Sequence, residues 1–245
     1  MKNLSKKSFI ARFLLIVSII LLYVLMEVFW HIATLVDENT KDQAMLSIND
    51  SLGWVRLLCK TGIGISSILI FLPTFLKKKK DSYAITIMII LFLFMLADML
   101  INYVFVLGAI LFALGHLILT IYFYICHKPK KENIIVFSIA EALGVIVSII
   151  GIAVLKKTLV GLLIMVYSLF ICSLLSSCIK EKRSIIIAIS FFVLSDVLLM
   201  INLLIDSNII VGHFLRFFYY LSIILLALTD KKKMKEGSIS QKNGQ

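Results

Sequence analysis

Eight apolar stretches of about 20 residues each occupy most of this 245-residue chain. A helix of about 20 residues, rising 1.5 Å per residue, is long enough to cross the roughly 30 Å hydrocarbon core of a bilayer. The stretches lie at about 9–33, 52–76, 83–101, 103–126, 133–154, 158–179, 184–205 and 208–229. We therefore predict an all-α, polytopic integral membrane protein. It forms a single transmembrane domain over residues 1–245, with a basic polar tail at 230–245.

The composition excludes an ordinary soluble domain. Apolar residues make up 61% of the chain and charged residues 16%, against about 45–50% and 25% in soluble domains. Intrinsic disorder is excluded too, since it requires low hydrophobicity. The first apolar run has no small-residue cleavage site between Phe9 and Ala33, so we expect a retained first span and not a cleaved signal peptide.

The net charge of +11 is mainly a topology signal. Of the 25 basic residues, 19 lie before or at the start of the first span or after an even-numbered span. Since basic residues concentrate on the cytoplasmic side, this pattern predicts an even number of spans with both termini cytoplasmic. We expect a multi-pass protein of the bacterial cytoplasmic membrane. It also favours a tight turn at Asn102-Tyr103 between spans 3 and 4. We expect the lysines to contact membrane lipids and not nucleic acid.

The four cysteines suggest neither a metal site nor a redox motif, because no two of them form a CxxC pair. All four fall within or at the edge of apolar stretches, where cysteine usually serves as a small buried hydrophobe. They are Cys59, Cys126, Cys172 and Cys178.

A few ionisable side chains interrupt the apolar spans, and such groups are usually functional or paired. The strongest candidates are Asp98 in span 3, His116 in span 4 and Asp196 in span 7. Most of the polar groups fall in the outer half of the predicted bilayer, as expected if the spans surround one cavity. The others are Tyr23, Glu27 and His31 on one face of span 1, Arg56 and Lys60 on one face of span 2, Glu141, Tyr167, His213, Arg216, Tyr219 and Tyr220.

Several of these polar groups have structural alternatives. Glu27 and His31 are compatible with an interfacial pair at the end of span 1, and Arg56 with a side chain that extends outward to the interface. Glu141 is compatible with a simple pair to a cation of a neighbouring span. Asp98 and Asp196 are harder to explain in this way, because each lies within an uninterrupted apolar run.

Spans 3 and 7 carry similar motifs. LFMLADML, which begins at residue 93, and FFVLSDVL, which begins at Phe191, place Asp98 and Asp196 at the same position, and a Gly-His pair follows each. Since the two spans are four apart, they have the same orientation, and a parallel four-plus-four repeat is possible. The two carboxylates are thus expected on similar helices that could approach each other.

Two buried carboxylates with a histidine are suited to general acid–base catalysis, because their environments can leave one protonated and the other ionised. Two carboxylates that flank an oxocarbenium-like transition state cleave glycosides. Hydrolysis of a vinyl ether has similar requirements: protonation of the β-carbon gives an oxocarbenium ion, which water captures. Motifs of soluble hydrolases and nucleotide-binding proteins do not occur in the chain.

Several segments together resemble the YhhN/TMEM86 family of lysoplasmalogenases, which are polytopic membrane enzymes of about eight spans. The resemblance covers most of the chain from about Arg56 onward. The segments are LADML (96–100), GAILFALGHLILTIYF (108–123), VYSLFICSLL (166–175), FFVLSDVLL (191–199) and YYLSIILLAL (219–228).

The resemblance implies hydrolysis of the alkenyl ether of a lysoplasmalogen to a fatty aldehyde and glycerophospho-ethanolamine or -choline. It implies Asp98 and Asp196 as the catalytic acid and base and His116 as the group that orients water or shares the proton. Substrate binding is expected from Arg56, Lys60, Tyr167, Arg216 and Tyr220, with the three cations at the phosphate. The chain departs from the family where Thr61 replaces a proline, Ile223 a glutamine and Ala97 a glycine.

Two other functions are compatible with the same spans. A small proton-coupled lipid or solute transporter could use Asp98, Asp196 and Glu141, although helix-breaking residues are scarce within the spans. A non-catalytic partner subunit would release no aldehyde. For the enzyme we expect a lysophospholipid substrate, no cofactor and no metal, although two aspartates and a histidine could hold one.

Overall fold

The computed structural model describes residues 6–39, 43–78, 80–101, 103–127, 129–156, 158–205 and 209–229. In these ranges it contains eight α-helices and no strand. Each helix contains a segment long and apolar enough to cross a membrane, which confirms the predicted all-α, eight-span architecture. The predicted turn residue Asn102 and the tail at 230–245 lie outside the described residues. The helices are α1 (Lys6–Asn39), α2 (Gln43–Lys77), α3 (Ser82–Leu100), α4 (Phe105–Cys126), α5 (Lys131–Ile149), α6 (Thr158–Ser177), α7 (Arg183–Leu204) and α8 (Ile209–Leu228).

The first two helices are longer than the predicted spans. They contain 34 and 35 residues, which corresponds to about 50 Å each at 1.5 Å per residue. Their apolar segments are only Ile10–Phe29 and Gly53–Lys77. The backbone of both helices therefore continues for about ten residues beyond these segments, at the end of the bundle opposite the lysine clusters.

The helices pack as four sequential hairpins, α1–α2, α3–α4, α5–α6 and α7–α8. The two halves of the chain meet where α2 packs on α8 and where α4 packs on α6. If α1–α4 correspond to α5–α8, these two contacts are equivalent, as the four-plus-four repeat predicts. The first helix of each half, α1 or α5, lies at the periphery, since only 11% of its apolar segment is buried.

Glycines allow α3 to pack closely on its neighbours. A Cβ atom at Gly64 of α2 would lie 2.4 Å from Cγ of Met95, and one at Gly115 of α4 would lie 2.3 Å from Cε1 of Phe94. Neither position has room for a side chain. Small residues at such crossings let helix backbones approach within a membrane, and here they bring α3 against both α2 and α4.

Three of the four cysteines are buried as predicted: Cys59, Cys172 and Cys178. The prediction is wrong for Cys126, which is exposed. Cys126 is the last residue of α4, at the end of the bundle that carries the lysine clusters.

Candidate active site

Asp98 lies in the last turn of α3 and points into the bundle. It extends the buried stripe formed by Ile87, Ile90, Leu91 and Phe94 at helical spacing. Its partners come from two other helices, and they are the ammonium group of Lys60 and the hydroxyl group of Tyr220. Nζ of Lys60 is 3.3 Å from Oδ1, and the Tyr220 hydroxyl donates to Oδ2 at 3.0 Å. A carboxylate in a membrane interior requires such partners.

Asp196 lies in the middle of α7 and extends a similar stripe, which contains Ile189 and Phe192. The hydroxyl of Tyr167 donates to Oδ1 at 3.4 Å. Nε2 of His116 is 3.4 Å from Oδ2, within ion-pair range but without the alignment of a hydrogen bond. His116 is fully buried.

Three buried atoms of this second group have no hydrogen-bond partner among the described residues: both ring nitrogens of His116 and Oδ2 of Asp196. A buried polar atom without a hydrogen bond costs about 1–3 kcal/mol. In a hydrolase these are the atoms that would bind water or the reacting group.

Aromatic rings connect the two carboxylate groups. Tyr219 and Tyr220 are 4.9 Å apart between ring centroids, and Tyr219 is within electrostatic range of both Asp98 and Asp196. On its other side Tyr219 contacts Phe192 at 5.6 Å, and Phe192 contacts the ring of His116 at 4.9 Å. The two carboxylates therefore belong to one continuous site, but each has its own partners.

The similar motifs of spans 3 and 7 also meet at this site. Phe94 and Phe192, each four residues before its aspartate, are 4.7 Å apart between ring centroids. Each aspartate binds one residue of the preceding helix in its own half and one residue of the fourth helix in the other half. For Asp98 these helices are α2 and α8, and for Asp196 they are α6 and α4. This exchange is what a twofold-related repeat would produce.

An apolar cavity of about 320 Å³ adjoins the Asp196 group, between α4, α6 and α7. Its lining includes Phe112, Ala113, Ile164 and Met200, and the polar residue Tyr167. The size lies at the lower end of the range for small-molecule pockets. Because Tyr167 both lines the cavity and binds Asp196, an apolar chain bound there would lie near that carboxyl group.

A second polar group lies about one helical turn from Tyr220, between α1 and α8. Arg216 donates from Nε to Oε1 of Glu27 at 2.5 Å and from Nη2 to Oε2 at 2.9 Å. Nδ1 of His213 also contacts Glu27. The structure thus pairs Glu27 of α1 with two residues of α8.

The structure brings most of the predicted site residues together. Asp98 with Lys60 and Tyr220 forms one group, Asp196 with His116 and Tyr167 forms the other. Lys60 and Arg216 were both expected at a phosphate, and the structure gives each a carboxylate partner. Glu27 and Phe192 were not assigned to the site from the sequence. Phe192 contributes the ring that links Tyr219 to His116. The spacing of Tyr23, Glu27 and His31 on one face of span 1 was the available signal for Glu27.

The family-specific departures are local. Thr61, where the family has proline, donates its hydroxyl to the carbonyl of Leu57 at 2.9 Å within an unbroken α2. Ile223 is buried in the apolar core of α8, so it adds no polar group to the site. No cluster of three or more His, Cys, Asp or Glu suited to a metal occurs in the described part of the chain.

A comparison with protein-family models tests the resemblance to the YhhN/TMEM86 family. The model of the YhhN family matches residues 58–229. The chain belongs to the YhhN family. The YhhN match contains Lys60, Asp98, His116 and Asp196 but begins after Glu27 and Arg56, so those two residues are contributed by a part of the chain outside it. No curated protein and no solved structure matches the chain significantly.

Proposed function

We propose that this YhhN protein is an intramembrane hydrolase that cleaves the vinyl ether bond of a lysoplasmalogen. The observation that carries the proposal is the pair of buried carboxyl groups, Asp98 and Asp196, within one aromatic-lined site beside an apolar cavity. Membership of the YhhN family is consistent with a hydrolase. We also propose that both termini are cytoplasmic and that the membrane is the bacterial cytoplasmic membrane.

The chemistry needs one proton donor and one base. The donor protonates the β-carbon of the –CH=CH–O– group, which gives an oxocarbenium ion. Water adds to the carbon beside the oxygen as the base takes its proton, and the hemiacetal then collapses to a fatty aldehyde and a free glycerol hydroxyl. The products together contain the substrate and one water molecule, so no oxidant, reductant or cofactor is consumed.

The partners of the two carboxyl groups suggest which performs which role. Asp98 lies beside the ammonium of Lys60, and a neighbouring cation favours the ionised form of a carboxyl group. We therefore assign Asp98 as the base. Asp196 lies beside the hydroxyl of Tyr167 and the imidazole of His116, and we assign it as the proton donor, with His116 orienting water or returning the proton.

The substrate position follows from the surroundings of these groups. We place the alkenyl chain in the apolar cavity between α4, α6 and α7, whose lining includes Tyr167. The glycerophosphate then extends past Tyr219 and Tyr220 toward α1, α2 and α8, where Arg56 and Arg216 lie. The bound lipid would thus contact both halves of the protein.

The test is aldehyde release by purified protein in nanodiscs supplied with lysoplasmalogen. We expect release by the wild type and a loss of at least about 100-fold in Asp98→Asn and Asp196→Asn, since general acid–base catalysis contributes about 10²–10⁴-fold. Glu132→Gln, at an exposed position at the start of α5, is the matched control and should retain activity. Wild-type rates in both aspartate variants would contradict the mechanism. Transport of an unchanged lipid without aldehyde would favour a transporter instead.

A further inference from the structure

Glu27 lies before the family match, yet it binds residues of α8 that lie one to two turns before Tyr220 of the proposed site. Arg216 donates two hydrogen bonds to its carboxylate, and His213 contacts the same group. The side chains of Glu27 and Arg216 are only 14% and 13% exposed. Removing two charges from water costs free energy, which an ion pair recovers only with good geometry and further hydrogen bonds.

A second arginine, Arg56 of α2, lies near Arg216. Arg56 is within electrostatic range of Arg216. Each guanidinium group lies near a glycine one turn earlier in its own helix: a Cβ would be 3.8 Å from Nη2 of Arg56 at Gly53, and 3.2 Å from Nη1 of Arg216 at Gly212.

We propose that this cluster is the head-group site and that Glu27 selects zwitterionic head groups over anionic ones; this rests on the proposed function. Arg216 and Arg56 bind the phosphodiester, and Glu27 binds the ammonium group. Two arginines alone would accept any phosphodiester, whereas a carboxylate paired with one of them disfavours an anionic or neutral terminus and favours a cationic one. His213, with a side chain 34% exposed, is the partner of Glu27 that the ammonium group replaces.

The spacing of the site agrees with this assignment. Tyr23 lies one turn before Glu27, Tyr220 lies one turn after Arg216, and the two tyrosine rings are in contact at 5.8 Å between centroids. Four residues of helix separate the two layers by about 6 Å. The phosphorus and the ether oxygen of the lipid are five bonds apart, roughly 6 Å when extended with bonds of about 1.5 Å. A phosphate at Arg216 therefore places the ether oxygen at the level of Tyr220 and Asp98.

The test measures binding and not hydrolysis. Two lysophospholipids with the same saturated alkyl ether chain are compared, one with a phosphoethanolamine and one with a phosphoglycerol head group. Both carry one phosphodiester, and neither has the vinyl group that the reaction needs. We expect the wild type in nanodiscs to bind the ethanolamine lipid at least about tenfold more tightly, the effect of one hydrogen bond between charged groups. Equal affinities in the wild type would overturn the proposal without any variant.

Glu27→Gln should reduce the preference to near unity by weakening ethanolamine binding, with little loss for the glycerol lipid. Glu27→Asp keeps the charge and should keep a preference. Glu141→Gln is the control, because it removes another intramembrane carboxylate, one that accepts a hydrogen bond from Ser168 on α6. A wild-type preference retained in Glu27→Gln, or lost equally in Glu141→Gln, would refute the assignment.

Failure of this proposal is distinguishable from failure of the proposed function. If the preference depends on Glu27 but no aldehyde is released from lysoplasmalogen, the head-group site stands and the hydrolysis does not. If aldehyde is released and the affinities do not depend on Glu27, the reaction stands and the selectivity of Glu27 is refuted.

Discussion

Replacing Lys60 with methionine tests the ion pair that Lys60 forms with Asp98. The ammonium group lies 3.3 Å from Asp98, and both side chains are about 90% buried, with relative exposures of 9% and 10%. Removing one partner of a buried ion pair typically costs 3–5 kcal/mol, whereas replacing both partners is often close to neutral. We therefore expect Lys60→Met to lower the free energy of unfolding by about 3 kcal/mol, and Lys60→Met combined with Asp98→Asn to recover most of that loss.

The size of the coupling distinguishes an ion pair from an ordinary contact. Interhelical hydrogen bonds in membranes give coupling energies of about 0.6 kcal/mol on average and about 1.7 at most. For Lys60 and Asp98 we expect more than about 2 kcal/mol in a double-mutant cycle, measured by unfolding in SDS–detergent mixtures. Lys77→Met, at an exposed position at the end of α2, is the control and should have little effect. A coupling energy below the average for hydrogen bonds would refute the assignment of an ionised pair.

Three other predictions concern packing, substrate and topology. Gly115→Ala should destabilise the protein by about 1–3 kcal/mol, because the new Cβ would lie 2.3 Å from Phe94. Gly53→Ala is the control and should have little effect, since the nearest atom to its Cβ is 3.8 Å away. Thermal unfolding of the two variants measures the difference. Ala113→Phe fills part of the apolar cavity and should lower turnover of long-chain lysoplasmalogens more than short-chain ones, in the aldehyde assay. Cys126, the one exposed cysteine, should lie on the cytoplasmic side and react with an impermeant maleimide only after the membrane is opened. Labelling of Cys126 in intact cells would contradict the proposed topology.

The fold was predictable because the bilayer imposes a single length scale. Apolar runs of about 20 residues have few alternatives to spanning helices, and all eight were located in the sequence. The two aspartates could be found for a related reason, since a carboxyl group within such a run is too costly to be incidental. The helical continuation of α1 and α2 beyond the apolar segments was missed, because hydropathy marks where a helix meets lipid and not where its backbone ends.

The pairing of the polar residues was less predictable. The i, i+4 spacing of Arg56 and Lys60 shows that they share a face of α2, but not which carboxylate that face meets. Glu27 was visible on one face of span 1 with His31, and its partner Arg216 lies on the last helix. Such contacts depend on how the two halves of the chain pack, and no local pattern contains that information.

The incorporation of solvent hydrogen tests the central claim most directly. Lysoplasmalogen is incubated with the protein in D₂O, and the released aldehyde is reduced at once to an alcohol and analysed by mass spectrometry. Protonation of the β-carbon predicts one deuterium at carbon 2 of the product from the wild type, and no product above background from Asp196→Asn. A product without deuterium at that carbon, or equal product from the variant, would contradict carboxyl-catalysed hydrolysis of the vinyl ether.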